Sequence, residues 1–152
     1  MVKPKHIALS DEHHVTRKCG RQKQVRDERG NVIGINPGFF ALRSEIGEDY
    51  LSCSWFEYFP GDDDERLRSA YDYMRVKMRG WKDALLAKSN VLKIKDCAQK
   101  RGYTLKVRHT PNKKDPAYTK ISGLPLDNSD QSLLDALANE VATQLFPLPS
   151  LL

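Results

Sequence analysis

The sequence predicts a single α+β domain in which a mostly antiparallel sheet is packed by two amphipathic helices. Its 152 residues fit one domain and are enough to bury a hydrophobic core without metal ions or disulfides. The first third of the chain is rich in strand patterns, whereas later segments repeat apolar residues at helical spacing. These observations place the domain at residues 15–147, between a mobile basic arm, residues 1–14, and a C-terminal tail, residues 148–152.

The N-terminal part of the chain shows little periodicity. Residues 1–14 carry three of the four histidines, and residues 15–26 are largely polar and basic, so we expect an arm that leads into irregular structure. Residues 27–31 are typical of a turn, because Gly30 can adopt a positive φ. Val25 on one side of this turn and Val32 and Ile33 on the other predict a short β-hairpin.

Two β-rich segments follow the hairpin. Residues 39–43 come after an Asn-Pro-Gly turn and predict a strand. Residues 50–59 form the strongest strand pattern in the chain, because Leu51, Cys53 and Trp55 alternate with polar residues. Aromatic residues then occupy both faces, so the end of this segment is either buried on both sides or helical.

Helical patterns dominate the second half of the chain. Acidic residues at 62–65 precede apolar residues spaced three and four apart and predict a helix of about four turns that ends near Gly80. A short helix is expected over residues 94–101, then an alternating strand over residues 103–109 and a basic loop over residues 110–116. The last helix is predicted from an i, i+4 stripe formed by Leu133, Leu137, Val141 and Leu145.

Composition narrows the class of protein. Hydrophobic residues make up 39% and charged residues 30% of the chain, which excludes collagen-like, disulfide-scaffold and wholly disordered proteins. Cys19, Cys53 and Cys97 are widely spaced without a C-x-x-C pair, which is typical of free thiols in a reducing cytoplasm. The N-terminus lacks a signal-peptide pattern and no apolar stretch could cross a bilayer, so we expect a cytoplasmic protein without a membrane partner.

Positive charge is distributed unevenly along the chain. The net charge is +5, and residues 101–120 alone contain six Lys or Arg residues against one Asp. Basic side chains interleaved with tyrosines are typical of surfaces that contact the phosphate backbone of nucleic acids. A charged run is more often a solvated face, and no helix-turn-helix, RRM or KH pattern accompanies this one. The residues predicted to contact nucleic acid are Arg108, Lys113, Lys114, Tyr118 and Lys120.

The sequence contains little that favours a metal site. His14 and the cysteines lack the paired ligand spacing of structural zinc sites, so solvated histidines and buried thiols are the simpler interpretation. The carboxylates between Glu45 and Glu65 could hold Mg²⁺ for phosphodiester cleavage, but most of them lie in turns or at a helix N-terminus. Glu57 differs, because it lies in an aromatic run and should pair with an Arg or Lys or point outward. We therefore predict no metal ion and no cofactor.

A catalytic alternative rests on a resemblance. Arg17 followed by the run Leu-Ser-Cys-Ser at residues 51–54 resembles the arginine and serine elements of ADP-ribosyltransferases, in which the arginine grips a pyrophosphate. The third element of that family, a glutamate in an E-x-E motif on a later strand, is missing, and Glu140 lies in the last predicted helix. An enzyme of this kind, or a metal-dependent nuclease, would need four residues to converge in one pocket, namely Arg17, Ser52, Glu57 and His109.

A second resemblance covers most of residues 13–147. It is carried by a His-x-x-Arg pattern at residues 14–17, by YLSCSWFEY at residues 50–58 and by DPAYTKISGLP at residues 115–125. With these segments the chain is similar to a group of small bacterial proteins without an assigned activity, which often accompany larger genes of conflict systems or mobile elements. The resemblance implies a non-enzymatic accessory protein of a defence or mobile-element system. We expect it to bind a larger partner protein, with nucleic acid as a second candidate ligand.

Overall fold

A sheet of seven strands lies at the centre of the fold. The computed structural model of the chain describes residues 7–142 and 144–147. Its strands are β1 (Ile7–Ala8), β2 (His14–Cys19), β3 (Gln24–Arg26), β4 (Val32–Ile35), β5 (Tyr50–Trp55), β6 (Leu85–Asn90), β7 (Lys106–His109), β8 (Tyr118–Ser122) and β9 (Gln144–Pro147). The sheet has the order β1-β7-β8-β5-β2-β6-β9 and every neighbouring pair is antiparallel, while β3 and β4 form a separate hairpin.

Helices cover both faces of the sheet. They are α1 (Asp63–Arg75), α2 (Val91–Gln99) and α3 (Gln131–Ala136), and α3 continues into a π-helical turn, Leu137–Val141. Successive residues of β6 show the two layers, because side chains of a strand alternate between faces. Leu85 packs with α2, α3 and the π-helical turn, whereas Leu86 packs with α1. The predicted α+β class with an antiparallel sheet is confirmed.

Several predicted elements are present. The hairpin of β3 and β4 encloses the predicted turn, and residues 50–55 form a strand that continues as a 3-10 helix at Phe56–Tyr58, so the helical alternative is the one observed. Helix α1 begins with a capping box, in which the Asp62 side chain accepts the N–H of Glu65 and the Glu65 side chain accepts the N–H of Asp62. It ends at Arg75, earlier than predicted, because Lys77 donates its N–H to Met74 in a tighter turn.

The expectation of an irregular N-terminal region is wrong for the residues that the structure describes. Ile7 and Ala8 pair with β7 at the sheet edge, and β2 is an interior strand between β5 and β6. The polar sequence of β2 does not predict an interior strand, because its polar side chains are paired only with partners inside the fold. Residues 1–6 of the predicted arm and residues 148–152 of the predicted tail lie outside the described residues.

Two further predictions are corrected. Residues 39–43 do not form a strand, because Pro37–Phe40 is a 3-10 helix that buries Phe39 and Phe40 side by side in the core. The last helix ends at Val141, and Leu145 belongs to β9, where it pairs with Ala87 of β6. No described helix is long and apolar enough to cross a membrane.

Candidate functional site

A cleft lies where the two halves of the sheet separate. Strands β2 and β5 share only the pairs Val15–Trp55 and Thr16–Ser54, although β2 stays paired with β6 as far as Cys19 and β5 stays paired with β8 as far as Tyr50. Beyond Thr16 and Ser54 the strands diverge and line a cleft of about 530 Å³. This volume is within the range of small-molecule sites, about 300 to 1,000 Å³.

Arg17 bridges the walls of the cleft. Its Nε donates a hydrogen bond to the carbonyl oxygen of Ser52 at 3.0 Å, and its Nη1 donates to the carbonyl oxygen of Phe39 at 2.6 Å. The guanidinium carbon is 4.5 Å from the centroid of the Phe39 ring. Burial lowers the pKa of Arg17, and none of the ion pairs in the described ranges includes it. The cleft therefore contains a half-buried cation whose partners are carbonyl oxygens and a ring.

Cationic side chains outnumber carboxylates in the lining of the cleft. Arg43 is 3.1 Å from Glu48, and Lys77 is 2.9 Å from Asp115, so both carboxylates of the cleft are already paired. Of the other cations, Lys18 donates to the carbonyl oxygen of Arg79 and lies over the ring of Trp81, so Arg17 and Lys23 remain. Cleft walls that carry one sign of charge focus the electric field and concentrate ions of opposite charge. The cleft is therefore suited to an anion.

Buried polar groups also line the cleft. The hydroxyl of Thr16 is fully buried and has no hydrogen-bond partner within the described structure. Ser52 Oγ and the hydroxyl of Tyr118 are 2.8 Å apart, and burial raises the pKa of Tyr118 to about 12, so this hydroxyl is neutral at physiological pH. Burial also raises the pKa of Asp115 to about 6.

A second basic surface lies next to the cleft on the outer strands, and we call it the open face. Arg108 of β7 lies directly opposite Lys120 of β8 in the register of the sheet. The Lys120 ammonium is 4.2 Å from the centroid of the Tyr50 ring and 5.9 Å from that of Tyr118. The open face consists of Tyr50, Lys106, Arg108, Tyr118 and Lys120. Like charges directly opposite each other destabilise a sheet, so the Arg108–Lys120 pair costs stability.

Three of the five residues predicted to contact nucleic acid therefore meet on the open face: Arg108, Tyr118 and Lys120. Lys113 and Lys114 are exposed on the loop between β7 and β8. In this loop the side chain of Asn112 accepts the N–H groups of Lys114 and Asp115. The same loop thus presents two lysines to solvent and directs Asp115 into the cleft.

The residues of the catalytic alternative do not converge. Arg17 and Ser52 line the cleft, but Glu57 and His109 do not. Glu57 accepts the N–H of His14 at 2.7 Å and lies 2.8 Å from His14 Nδ1, so its partner is a histidine and the predicted Arg or Lys partner is wrong. His109 Nε2 is 2.7 Å from the carbonyl oxygen of Pro116, and its ring packs against Trp55. The cleft therefore holds two of the four residues that this alternative requires.

The cysteines are separate, buried thiols. Burial raises the pKa of Cys19 and Cys97 to about 11 and that of Cys53 to about 12, so all three are protonated at physiological pH. Protonated thiols are poor nucleophiles and poor metal ligands. Over residues 7–142 and 144–147, no three His, Cys, Asp or Glu side chains are placed to hold a metal ion.

Most of the cleft residues were not predicted from the sequence. The sequence predicts Arg17 and Ser52 but not Lys23 and Lys77, because these two lysines belong to segments that meet β2 and β5 only in the fold. A local signal does exist for Asp115, since it begins the DPAY stretch of the second resemblance.

The two longer stretches of that resemblance fall on neighbouring strands. Residues 50–55 form β5, and residues 118–122 of the DPAYTKISGLP stretch form β8, which pairs with β5. The two stretches together supply one wall of the cleft and part of the open face. A comparison of the chain with models of known protein families found no match, and a comparison with curated proteins found no similar sequence.

Proposed function

We propose that the protein is a non-enzymatic accessory protein that binds single-stranded nucleic acid on its open face and the adjoining loop of Lys113 and Lys114, and that it works with a larger protein partner. The observation that carries the nucleic-acid part is the direct opposition of Arg108 and Lys120 beside two tyrosine rings. The partner protein and the bacterial defence or mobile-element context rest on the resemblance of the sequence stretches.

Phosphate groups would relieve the repulsion on the open face. Arg108 is exposed and Lys120 is half-buried, and neither forms an ion pair in the described structure. A phosphate placed between these two side chains would neutralise both of them. Each such contact releases condensed counterions from the nucleic acid, which favours binding at low salt.

The tyrosines favour a single strand over a duplex. Unpaired bases stack on aromatic side chains of a sheet surface, at about 1 to 3 kcal/mol per base. The ring of Tyr118 is held in place by the contact of its hydroxyl with Ser52, so little side-chain entropy would be lost on stacking. Tyr50 lies on the same face, next to the Lys120 ammonium.

The placement of acid–base groups favours binding over catalysis. General acid–base catalysis requires a titratable group within reach of the substrate. In the cleft, Glu48 and Asp115 are engaged with Arg43 and Lys77, and the hydroxyl of Tyr118 is held neutral. Asp115, whose pKa burial raises to about 6, is held by Lys77, and Glu57 and His109 of the catalytic alternative lie outside the cleft, which supports a site that holds a ligand.

Titration of a fluorescent oligonucleotide tests this function. We expect binding to weaken with salt, at a log–log slope of about −0.7 per phosphate contact for a single strand. Replacement of Lys113, Lys114 and Lys120 by Ala should reduce the magnitude of the slope by about two units, with little change in the thermal midpoint because the changes lie at the surface.

A matched control separates a specific surface from net charge. Lys82, Lys93 and Lys100 are exposed and lie outside the open face and the cleft, so their replacement by Ala removes the same charge elsewhere. This control should keep the slope of the native protein. The proposal fails if the native protein does not bind at low salt, or if both triple variants change the slope equally.

A further inference from the structure

We infer that the cleft between β2 and β5 is a binding site for a nucleoside 5′-phosphate, with the phosphate at Arg17 and Lys23 and the base beside the ring of Tyr118. This inference does not rest on nucleic-acid binding by the open face. It rests on the charge, the unsatisfied polar groups and the apolar lining of the cleft.

The first support is the charge of the cleft. Five cationic side chains and two carboxylates line it, and ion pairs with Arg43 and Lys77 already neutralise the two carboxylates. Lys18 donates to the carbonyl oxygen of Arg79, so Arg17 and Lys23 are the cleft cations left without a carboxylate or that carbonyl as partner in the described structure. A phosphate carries up to two negative charges and would pair with them at short distance.

The second support is the set of donors at the base of the cleft. Arg17 has five N–H donors, of which its contacts with Ser52 and Phe39 use two. Arginine binds phosphate through two parallel N–H groups, which suits a guanidinium whose orientation is already fixed. The Thr16 hydroxyl adds a fully buried polar group without a hydrogen-bond partner in the described structure.

The third support is the part of the lining that an inorganic anion would not use. Arg17 and Lys77 already lie over the rings of Phe39 and Tyr73, whereas the half-buried ring of Tyr118 borders the cleft and Met78 adds exposed, polarisable apolar surface. The volume of about 530 Å³ also exceeds the needs of a phosphate ion. An aromatic ring beside cationic side chains matches a ligand that has a flat nucleobase at one end and phosphate at the other.

The position of Tyr118 allows two sources for this ligand. Tyr118 lines the cleft and also belongs to the open face. A nucleoside 5′-phosphate could therefore be a free nucleotide or the phosphorylated 5′ end of a bound strand. The chemistry recognised is the same in both cases.

Calorimetric titration with small ligands tests the site. The probes are ADP, AMP, adenosine and pyrophosphate, together with one short oligonucleotide prepared with and without a 5′-phosphate. We expect ADP or the phosphorylated oligonucleotide to bind at least about tenfold more tightly than its counterpart without phosphate. A preference confined to the oligonucleotide would identify the strand end as the source, and one confined to ADP would identify the free nucleotide.

A variant with reversed charge at the mouth of the cleft tests whether the phosphate binds there. Lys23 is exposed, and its Nζ lies beside Gly38 at the cleft wall, so Lys23→Glu should fold normally. We expect it to weaken binding of the phosphorylated probe at least about tenfold. Lys93→Glu makes the same change of charge on an exposed residue of α2 outside the cleft, and it should bind like the native protein. Arg17→Gln tests the base of the cleft, with its folding checked by thermal denaturation.

Three results would overturn the inference. They are the absence of binding by any phosphorylated probe, equal affinity for ADP and adenosine, and equal weakening by Lys23→Glu and Lys93→Glu. Pyrophosphate that binds as tightly as ADP would overturn the nucleoside part and leave an anion site. The variant that lacks Lys113, Lys114 and Lys120 keeps the cleft intact, so failure of the open face and failure of the cleft would be distinguished.

Discussion

Single residues of the DPAYTKISGLP stretch have separate structural tasks. The N–H of Ala117 donates to the hydroxyl of Tyr73, and its carbonyl oxygen accepts the N–H of Trp55. Gly123 has φ near +103°, and a Cβ there would lie 2.4 Å from the carbonyl oxygen of Thr104, so only glycine fits. Asp115 is the member of the stretch that enters the cleft. The stretch therefore joins core packing, a close backbone approach and the candidate site.

Asp115 should give the protein a pH-dependent stability. Burial raises its pKa from 3.8 to about 6, so the folded state favours the protonated form. Its contribution to stability is full below about pH 3.8 and is lost as the pH rises through about 6. In Asp115→Asn this loss cannot occur. Relative to the native protein, the free energy of unfolding of the variant should therefore rise by about 1 kcal/mol between about pH 4 and pH 7, a figure reduced for partial solvent exposure.

Urea denaturation of both proteins at several pH values measures this difference. Lys77 forms an ion pair only with the ionised form of Asp115, so this pair is already included in the pKa of Asp115 and is missing from the variant at every pH. Other carboxylates titrate in both proteins and cancel in the comparison. Parallel stability curves from acid to neutral pH would contradict a raised pKa at Asp115.

At the scale of elements, the π-helical turn after α3 anchors the layer opposite α1. Leu133 and Leu137 are fully buried, and Val141 is 2% exposed. The wider turn shifts the chain so that Ala142 leaves the helix and β9 can pair with β6. The i, i+4 stripe is therefore buried in the core as far as Val141, whereas Leu145 is part of β9 in the sheet.

Leu137→Asp should be severely destabilising. An unpaired carboxylate at a fully buried position is costly, and we expect the free energy of unfolding to fall by about 3 to 5 kcal/mol. Leu126 is 61% exposed, so Leu126→Asp is a matched control that should change the stability by less than about 0.5 kcal/mol. Denaturant unfolding of both variants decides the matter. A native-like midpoint for Leu137→Asp would show that the stripe is accessible to solvent or to a partner.

Elements with strong local signals could be predicted, and those stabilised by distant partners could not. The capping box of α1 and the alternation of β5 depend on residues that are close together in the sequence. Strand β2 is different, because His14 depends on Glu57 and Arg17 on the carbonyl oxygens of Ser52 and Phe39. Its polar residues are compensated only after folding, so the sequence favoured irregular structure. For the same reason the sequence predicts Arg17 and Ser52 as candidate site residues but does not predict that Lys23 and Lys77 lie near them.

At the scale of the whole molecule, positive charge is concentrated around β2, β5, β7 and β8. The cleft contributes three cations without ion-pair partners in the described structure, and the open face adds Lys106, Arg108 and Lys120. Both surfaces lie on or beside β5 and β8, while α2 and α3 pack on the opposite layer. With a net charge of +5, the molecule carries internal repulsion that ions in solution can screen.

This arrangement predicts that salt stabilises the fold. Raising sodium chloride from about 10 mM to about 150 mM shortens the screening length to about 8 Å, so the thermal midpoint should rise by a few degrees. Sodium phosphate at the same ionic strength should raise it further, because phosphate would also occupy the cleft and bind only the folded state. Lys23→Glu should lose most of this additional effect and Lys93→Glu should keep it. A midpoint that falls with salt would mean that attractive ion pairs outweigh the repulsion across the cleft and the open face.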